Sequence, residues 1–196
     1  MTKIKYNYSN LANLPTAYGS FKIQSFKDEK GNEHAILIKG DVENRADVPV
    51  RIHSECLTGD AFSSLKCDCN YQLNYALEYI SMFGFGIIIY LRQEGRGIGF
   101  FNKINAYNLQ DNGRNTIEAN HDLGLNNDER EYSAAVEVLN KLNIQSVKLM
   151  TNNPLKIEYL KKYGINVIDR VSVISKKNTF NDQYLEVKKH QLSHML

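Results

Sequence analysis

The segment GIIIYL at residues 86–91 constrains the fold more than any other part of the sequence. Four consecutive large apolar residues suit a strand in a sheet that is covered on both faces. Helices must supply that cover, and Leu77 and Ile80 fall on one face of a helix predicted over 71–83. Alternation of buried strands with amphipathic helices is typical of the α/β class.

Before the cysteines, the apolar pattern has a period of two and predicts strands. FKIQSF at 21–26 and HAILIK at 34–39 flank the turn-like DEKGN, which predicts a hairpin, and VPVRIH at 48–53 predicts a third strand. After GIIIYL the sequence predicts, in order, a helix over 100–111, a helix from a cap within 126–128 to about 142, a strand over 146–150, a helix over 154–163 and a strand over 165–171. We therefore expect a mixed sheet flanked by helices, with an antiparallel β-rich N-terminal part.

We expect residues 1–196 to form a single compact domain, because the chain has no internal repeat and only three prolines that could mark a linker. Residues 175–196 are polar and weakly patterned, which predicts a mobile C-terminal tail. Lys and Arg number 24 against 22 Asp and Glu, so no charge signature of nucleic-acid or membrane binding is present. No apolar run approaches the roughly 20 residues of a membrane span, and no signal peptide is found, so we expect a cytoplasmic protein.

Three cysteines lie close together, Cys56, Cys67 and Cys69, in a C-x10-C-x-C pattern. In a reducing compartment this odd cluster indicates metal or thiol chemistry. Three thiolates suit zinc, and the lack of a fourth cysteine fits a catalytic site that keeps one position for water. The cysteines could also be buried as small hydrophobes. Metal binding is favoured by the polar neighbours Asp60, Lys66, Asp68 and Asn70.

Two loops at the ends of predicted strands are candidates for anion binding. RQEGRGIG at 92–99 leads into a helix, so its backbone amides and Arg96 could face a phosphate. TNNPLK at 151–156 has the same placement, which makes Thr151 and Lys156 candidate ligand contacts. Each loop taken alone is as typical of an ordinary turn before a helix.

Several segments, in one order along the chain, closely resemble GTP cyclohydrolase II. They are RIHSECLTGD (51–60), CDC (67–69), RQEGRGIG (92–99), HDLG and DER (within 121–130) and TNNPLK (151–156), and the resemblance spans about residues 14–175. The chain resembles the stand-alone form of the enzyme. The resemblance implies opening of the imidazole ring of GTP, with release of formate and pyrophosphate, in the first committed step of riboflavin biosynthesis.

The resemblance also implies the residues of the site. It makes the three cysteines zinc ligands and gives catalytic roles to Tyr107, Asp128 and Arg130, whose spacing alone is typical of a core residue, a helix-dipole partner and a solvated arginine. In the family's proposed scheme the arginine attacks the α-phosphate, the aspartate accepts a proton, and water activated by zinc attacks C8 of guanine. A guanidinium has a pKa above about 12, so Arg130 could instead stabilise charge on the triphosphate. The implied GTP contacts are Arg51, Ile52, His53, Ser54, Glu55, Gln72, Glu94, Gly95, Arg96, Thr116, Thr151 and Lys156.

The resemblance further implies Mg²⁺ alongside zinc, because a triphosphate usually carries it, and a homodimer. Two positions depart from the family pattern. Asn70 stands where glycine usually follows CDC, but asparagine tolerates left-handed backbone. Lys66 stands where arginine is usual, and it keeps the charge without the bidentate fork.

Three alternative interpretations stay open from the sequence. A closed structural zinc site, with His53 or His121 as the fourth ligand, would make the protein a binding module. A thiol redox protein would use the CxC pair as a reversible disulfide. The same fold could also stop at a formylated product or prefer another purine triphosphate. Within the cyclohydrolase interpretation, Glu55 could act as a base or only contact the substrate.

Overall fold

The computed structural model describes residues 6–126, 128–190 and 193–196. Its strands form one mixed sheet with the order β1-β3-β4-β6-β5-β7-β8, and β2 pairs with β3. The strands are β1 (Asn7–Tyr8), β2 (Ala12–Thr16), β3 (Gly19–Lys27), β4 (Glu33–Lys39), β5 (Val48–Ser54), β6 (Gly86–Leu91), β7 (Val147–Met150) and β8 (Val167–Val171). The predicted mixed α/β class is confirmed.

Helices cover both faces of this sheet. They are α1 (Leu57–Asp60), α2 (Cys69–Phe83), α3 (Gly99–Asp111), α4 (Thr116–Asp122), α5 (Ser133–Lys141), α6 (Pro154–Lys162) and α7 (Asp182–His190), with a 3-10 turn at Glu94–Gly97. None of the helices in the described residues is both long and apolar enough to cross a membrane.

Strand β6 lies in the middle of the sheet, as its composition predicts. Ile87 and Ile89 pack on one face with Val138 of α5, whereas Ile88 packs on the other face with Ile80 of α2. Each of these side chains is fully buried. Alternate residues of β6 therefore face two different apolar layers, which explains why the strand has no polar face.

The sheet joins an antiparallel half to a parallel half. The predicted hairpin is present as β3 and β4, and β4 also pairs antiparallel with β6. Strand β5 pairs in parallel with β6 and β7, and β7 in parallel with β8. The third predicted strand thus belongs to the parallel half. The carboxyl ends of β5, β6 and β7 consequently meet at one edge, where α/β proteins bind ligands.

Some element boundaries differ from the sequence prediction. Helix α5 begins at Ser133 rather than near 126–128, because the carboxylate of Asp128 accepts hydrogen bonds from Arg130 instead of capping a helix. Residue 127 of the predicted cap lies outside the described residues. Helix α4 was not predicted, although Asn115 and Glu118 form a capping box at its start.

The C-terminal part contains the helix α7, which the weak sequence pattern did not predict. Leu185 and Val187 of this helix are buried. The backbone N–H of Met195 donates to the carbonyl of Asn152, 2.8 Å away, so residues beyond α7 also contact the domain. Mobility of the tail 175–196 stays a prediction.

Candidate active site

A cleft that opens to solvent lies at the carboxyl ends of β5, β6 and β7. Residues from the segments that follow these three strands line it. Among its lining residues are Arg51, His53, Ser54, Glu55, Cys56, Cys67, Cys69, Gln72, Glu94, Gly95, Arg96, Tyr107, Thr116, Arg130, Thr151 and Lys156. The fold thus brings together every zinc ligand, catalytic residue and GTP contact implied by the resemblance except Ile52 and Asp128, which do not line the cleft.

The three cysteines converge at one wall of the cleft. Their sulfur atoms all lie within 4.8 Å of one another, and the Sγ atoms of Cys56 and Cys67 are 3.7 Å apart. Cys56 precedes α1 and Cys69 begins α2, so two short loops hold the cluster. Glycine is required at Gly59, since a Cβ there would lie 2.9 Å from the Cys67 sulfur.

A divalent metal ion fits this cluster by its donor set. Three convergent sulfurs match the first shell that zinc prefers. Among the described residues no other group of three or more potential ligand side chains converges in this way. His53 does not join the cluster, because its Nε2 bonds the Asp60 carboxylate at 3.0 Å. His121 lies on α4 and lines a separate surface depression.

Lys103 on α3 neutralises the cysteine cluster. Its Nζ donates to the Cys56 sulfur at 3.1 Å, to Thr58 Oγ1 at 2.9 Å and to a Glu94 carboxylate oxygen at 2.8 Å. Hydrogen bonds from Cys67 and Cys69, together with this ammonium, lower the pKa of the Cys56 thiol. Burial opposes the charge of Lys103, but the thiolate of Cys56 raises its pKa above the usual value. The arrangement therefore favours a thiolate before any metal binds.

The glycine-rich loop turns sharply beside the cluster. Gly95 and Arg96 have φ near +62° and +63°, and Gly97 has φ +95°. A Cβ at Gly97 would lie 3.0 Å from the backbone of Glu129, so glycine lets the 128–130 segment approach. The N–H of Glu129 donates to the Arg96 carbonyl at 2.9 Å. These contacts thus join the glycine-rich loop to the 128–130 segment, although the two are distant in sequence.

Buried cations form another part of the cleft wall. Lys156 is buried and donates to the Ile52 carbonyl at 2.7 Å. Burial, with Arg51 and Arg130 nearby, lowers the pKa of Lys156 well below its usual value. Both terminal nitrogens of Arg96 are buried without a hydrogen-bond partner among the described residues. Buried donors of this kind are costly unless a ligand satisfies them, so the wall suits an anion.

Comparison with known proteins identifies the family. The family model for GTP cyclohydrolase II matches residues 7–172. The chain belongs to the GTP cyclohydrolase II family. It is 50% identical over 184 residues to a GTP cyclohydrolase-2 of Picrophilus torridus, covering 94% of this chain and 96% of that protein. It is 52% identical over 188 residues to a GTP cyclohydrolase-2 of Campylobacter hominis, covering 96% and 94%.

A solved structure shows a related fold. The two-domain 3,4-dihydroxy-2-butanone 4-phosphate synthase RibBX from A. baumannii superposes with a TM-score of 0.52 and 16% identity. The match covers 89% of this chain and 42% of that one. At this identity the likeness concerns the fold alone, and the site must be interpreted from its own residues.

In this member of the GTP cyclohydrolase II family, Asp128 and Arg130 form a bidentate ion pair. The Arg130 Nε lies 2.8 Å from Asp128 Oδ1, and its Nη2 lies 2.5 Å from Oδ2. Although burial would raise it, the pKa of Asp128 is lowered by these hydrogen bonds. Burial would lower the pKa of Arg130, but the hydrogen bond to Asp128 raises it. Arg130 therefore stays protonated. A protonated guanidinium is not a nucleophile, which argues against a nucleophilic role.

Tyr107 lies beside the cysteine cluster. Its hydroxyl is 3.3 Å from Thr58 Oγ1, and its ring centroid is 5.6 Å from the Lys103 Nζ. Burial raises the pKa of Tyr107 to about 12. The phenol therefore stays protonated at neutral pH and can donate a hydrogen bond into the cleft.

Some predicted contacts hold other site residues in place. The Glu94 carboxylate accepts from the N–H of Leu57 at 2.6 Å and from Lys103, so it links the loop to the cysteine segment. Gln72 accepts from Arg51 at 2.5 Å and donates to Asp68 at 2.6 Å.

The remaining predicted residues at the cleft lie on its rim or beneath it. Glu55 pairs with Arg92, whose Nε is 2.8 Å from its Oε1, and burial raises the pKa of Glu55. Ser54 accepts a hydrogen bond from the side chain of Gln93. Thr151 is buried, and its hydroxyl accepts from the N–H of Asn153 at 3.0 Å.

Sequence reasoning missed Lys103, Tyr184, Lys188 and His194, all of which line the cleft. A signal existed for the first three. Lys103 lies four residues before Tyr107 on α3, and Tyr184 lies four residues before Lys188 on α7, so each pair shares a helix face. Spacing alone could not show that these faces point toward the cysteines.

Proposed function

We propose that this chain hydrolyses GTP in a zinc-dependent reaction that opens the imidazole ring of guanine. The products would be formate, pyrophosphate and 2,5-diamino-6-ribosylamino-4(3H)-pyrimidinone 5′-phosphate, in the first committed step of riboflavin biosynthesis. Family membership and the names of the relatives support this activity. The observation that carries it is that three convergent thiols and a wall of buried cations face one cleft.

Cys56, Cys67 and Cys69 would hold the zinc ion. When bound, zinc supplies Lewis acidity that makes water a better nucleophile near neutral pH. Lys103 offsets the negative charge of the thiolates through its contact with the Cys56 sulfur. The phenol of Tyr107 stands on the same wall and would hydrogen-bond the guanine ring as it opens.

The cationic wall would bind the triphosphate, with Mg²⁺ accompanying it to reduce the charge. Arg96 would contribute its two terminal nitrogens, which have no hydrogen-bond partner among the described residues, and Lys156 would contribute its buried amino group. Arg130, held by Asp128, would stabilise charge at the α-phosphate rather than attack it. The other contacts implied by the resemblance, including Thr116 and Thr151, line the same cleft.

Two further expectations belong to this proposal. We expect a homodimer and a cytoplasmic location, as in the interpretation drawn from the sequence. Gel filtration with light scattering would measure the oligomeric state of the purified protein.

The test is to incubate zinc-loaded protein with GTP and Mg²⁺ and to quantify formate and pyrophosphate together. Both products in equal amounts would establish the cyclohydrolase activity. Pyrophosphate without formate would show that ring opening is arrested, and neither product from folded, zinc-bound protein would favour a binding role. Parallel reactions with ATP would measure the preference for guanine.

A further inference from the structure

The C-terminal arm, which we define as residues 181–190 and 193–196, contributes Tyr184, Lys188 and His194 to the lining of the cleft. Its helix α7 is anchored at the start by Asn178, whose side chain accepts from the N–H of Asn181 at 2.9 Å. At the other end the N–H of Met195 donates to the carbonyl of Asn152 at 2.8 Å. Asn152 itself lines the cleft, so the arm ends beside the site.

An ion pair joins the arm to the cysteine cluster. The Lys188 Nζ lies 2.6 Å from Asp68 Oδ1, and the two side chains are 8% and 0% exposed. Asp68 stands between Cys67 and Cys69 in the sequence. Breaking such a buried pair leaves an uncompensated charge, so this contact fixes the arm far more firmly than a surface pair would.

Two other side chains of the arm face the cleft. The ring of Tyr184 lies near two cations, with Lys188 Nζ 4.6 Å and Arg96 Cζ 5.8 Å from its centroid. His194 also lines the cleft. Burial and the nearby Lys188 and Arg130 charges lower the pKa of His194 to about 3, so its ring is neutral at pH 7.

The Tyr184 ring thus lies near the Arg96 guanidinium, whose terminal nitrogens have no hydrogen-bond partner among the described residues, and the neutral imidazole of His194 lines the same cleft. The Tyr184 hydroxyl and the His194 imidazole can donate hydrogen bonds to phosphate oxygens without adding charge to a site that is already cationic. Lys188 differs from them, since its ammonium is engaged by Asp68. Its contribution would be to hold the arm in place.

We propose that the C-terminal arm completes the nucleotide site, with Tyr184 and His194 contacting the phosphate chain beside Arg96 and Lys188 positioning them through Asp68. This inference rests on the proposed binding of GTP. It assigns a substrate-contact role to a segment that lies beyond the residues matched by the family model.

The test compares Lys188→Ala, Lys188→Arg and His194→Ala with the exposed neighbour control Lys189→Ala in zinc-loaded full-length protein. Loss of one or two hydrogen bonds to a charged ligand should raise KM for GTP by about 10- to 100-fold in Lys188→Ala and His194→Ala. The kcat should change much less, and Lys188→Arg should recover most of the affinity, because arginine can still pair with Asp68. Lys189→Ala should match the parent protein.

Hydrogen exchange gives a second measurement that does not depend on turnover. Binding of guanosine 5′-[α,β-methylene]triphosphate to the parent protein should slow amide exchange in α7, and Lys188→Ala should abolish that protection. Thermal unfolding of each variant would show that the domain is still folded. His194→Ala leaves the ion pair intact, so it tests the contact even if Lys188→Ala unfolds.

The outcomes separate this inference from the proposed function. Formate release by the parent protein, with unchanged KM in the folded variants and no ligand-dependent protection of α7, would overturn the inference alone. Ligand-dependent protection of α7 without formate release would support the inference and refute the proposed reaction. No binding of the triphosphate analogue to the parent protein would overturn both.

Discussion

The centre of the sheet and the cleft at its edge are built from the same three strands in opposite ways. In the sheet, Ile87, Ile88 and Ile89 are fully buried, and the strand backbones pair with their neighbours. Just beyond the sheet, the segments that follow these strands carry buried charges, left-handed backbone at Arg96 and polar atoms that lack a partner within the described part of the chain. The difference indicates that the apolar sheet provides the stability that the cleft lowers.

The cleft is strongly cationic although the net charge of the chain is small. The chain has an excess of only two positive charges, yet several cations are concentrated in one cleft. Two of the acids close to them are already paired, Asp68 with Lys188 and Asp128 with Arg130. The remaining positive potential is therefore local and suits a polyanionic ligand of small size.

The largest effect confined to the cleft should come from Cys67→Ser, which should leave the sheet intact. We expect loss of zinc and at least a 1000-fold loss of formate release, on the order of 4 kcal/mol in transition-state stabilisation, with an unfolding temperature close to that of metal-free parent protein. Zinc content by elemental analysis and formate release would measure both. Zinc added to chelator-treated parent protein should restore activity, while the same addition to the variant should not. A metal-free variant with full activity would disprove the zinc mechanism.

The opposite substitution, Ile89→Ala in the sheet, should affect stability and leave the site chemistry alone. Truncating this fully buried side chain should lower the free energy of unfolding by about 2 to 5 kcal/mol. Denaturant titration would measure the loss, with turnover per folded molecule unchanged. Met82→Ala is the matched control, because Met82 is 84% exposed and should cost under about 0.5 kcal/mol. A loss of zinc from folded Ile89→Ala would show that the two regions are not separable.

Arg130→Ala should separate zinc binding from phosphate chemistry within the cleft. We expect zinc binding to be retained and pyrophosphate release to fall by about 100- to 1000-fold, the usual effect of removing one charge-stabilising donor. Quantifying pyrophosphate and zinc in the same samples would measure this, with the exposed Arg114→Ala as control. Undiminished pyrophosphate would exclude a role for Arg130 at the α-phosphate.

The elements of the sheet were easier to predict from the sequence than the contacts of the cleft. Strand β6, the hairpin β3–β4 and helix α2 were predicted because apolar periodicity is a local property of the chain. The predicted start of α5 was wrong, since the side chain of Asp128 accepts a hydrogen bond from Arg130 rather than from a helix N-terminus. Segment order and the resemblance could name the residues that the fold brings to one cleft, although their roles stay predictions.

Contacts between distant residues set the limit on that prediction. Lys103 meets Cys56 across 47 residues, and Lys188 meets Asp68 across 120 residues. In the sequence both lysines look like ordinary solvated charges on helices. Only the packing of α3 and α7 against the cysteine loops makes them part of the site.

The smallest effect that we expect concerns Lys156, a residue of the cleft that lowers the stability of the sheet beneath it. Burial lowers its pKa in the folded protein, so the unfolded chain binds more protons at this position. Its contribution to stability should therefore improve as the pH rises from the folded pKa toward the ordinary lysine value near 10.4. Lys156→Met removes this titration.

Urea unfolding of the parent protein and Lys156→Met between pH 7 and pH 9.5 would measure the difference in free energy of unfolding. That difference should shift in favour of the parent protein with rising pH, by about 1.4 kcal/mol for each pH unit at most. Lys161→Met, at an exposed position of the same helix, should show no such trend. A flat difference for Lys156→Met would mean that Lys156 stays as readily protonated in the folded protein as in the unfolded chain, and the cleft would then be less costly to the fold than the buried cations indicate.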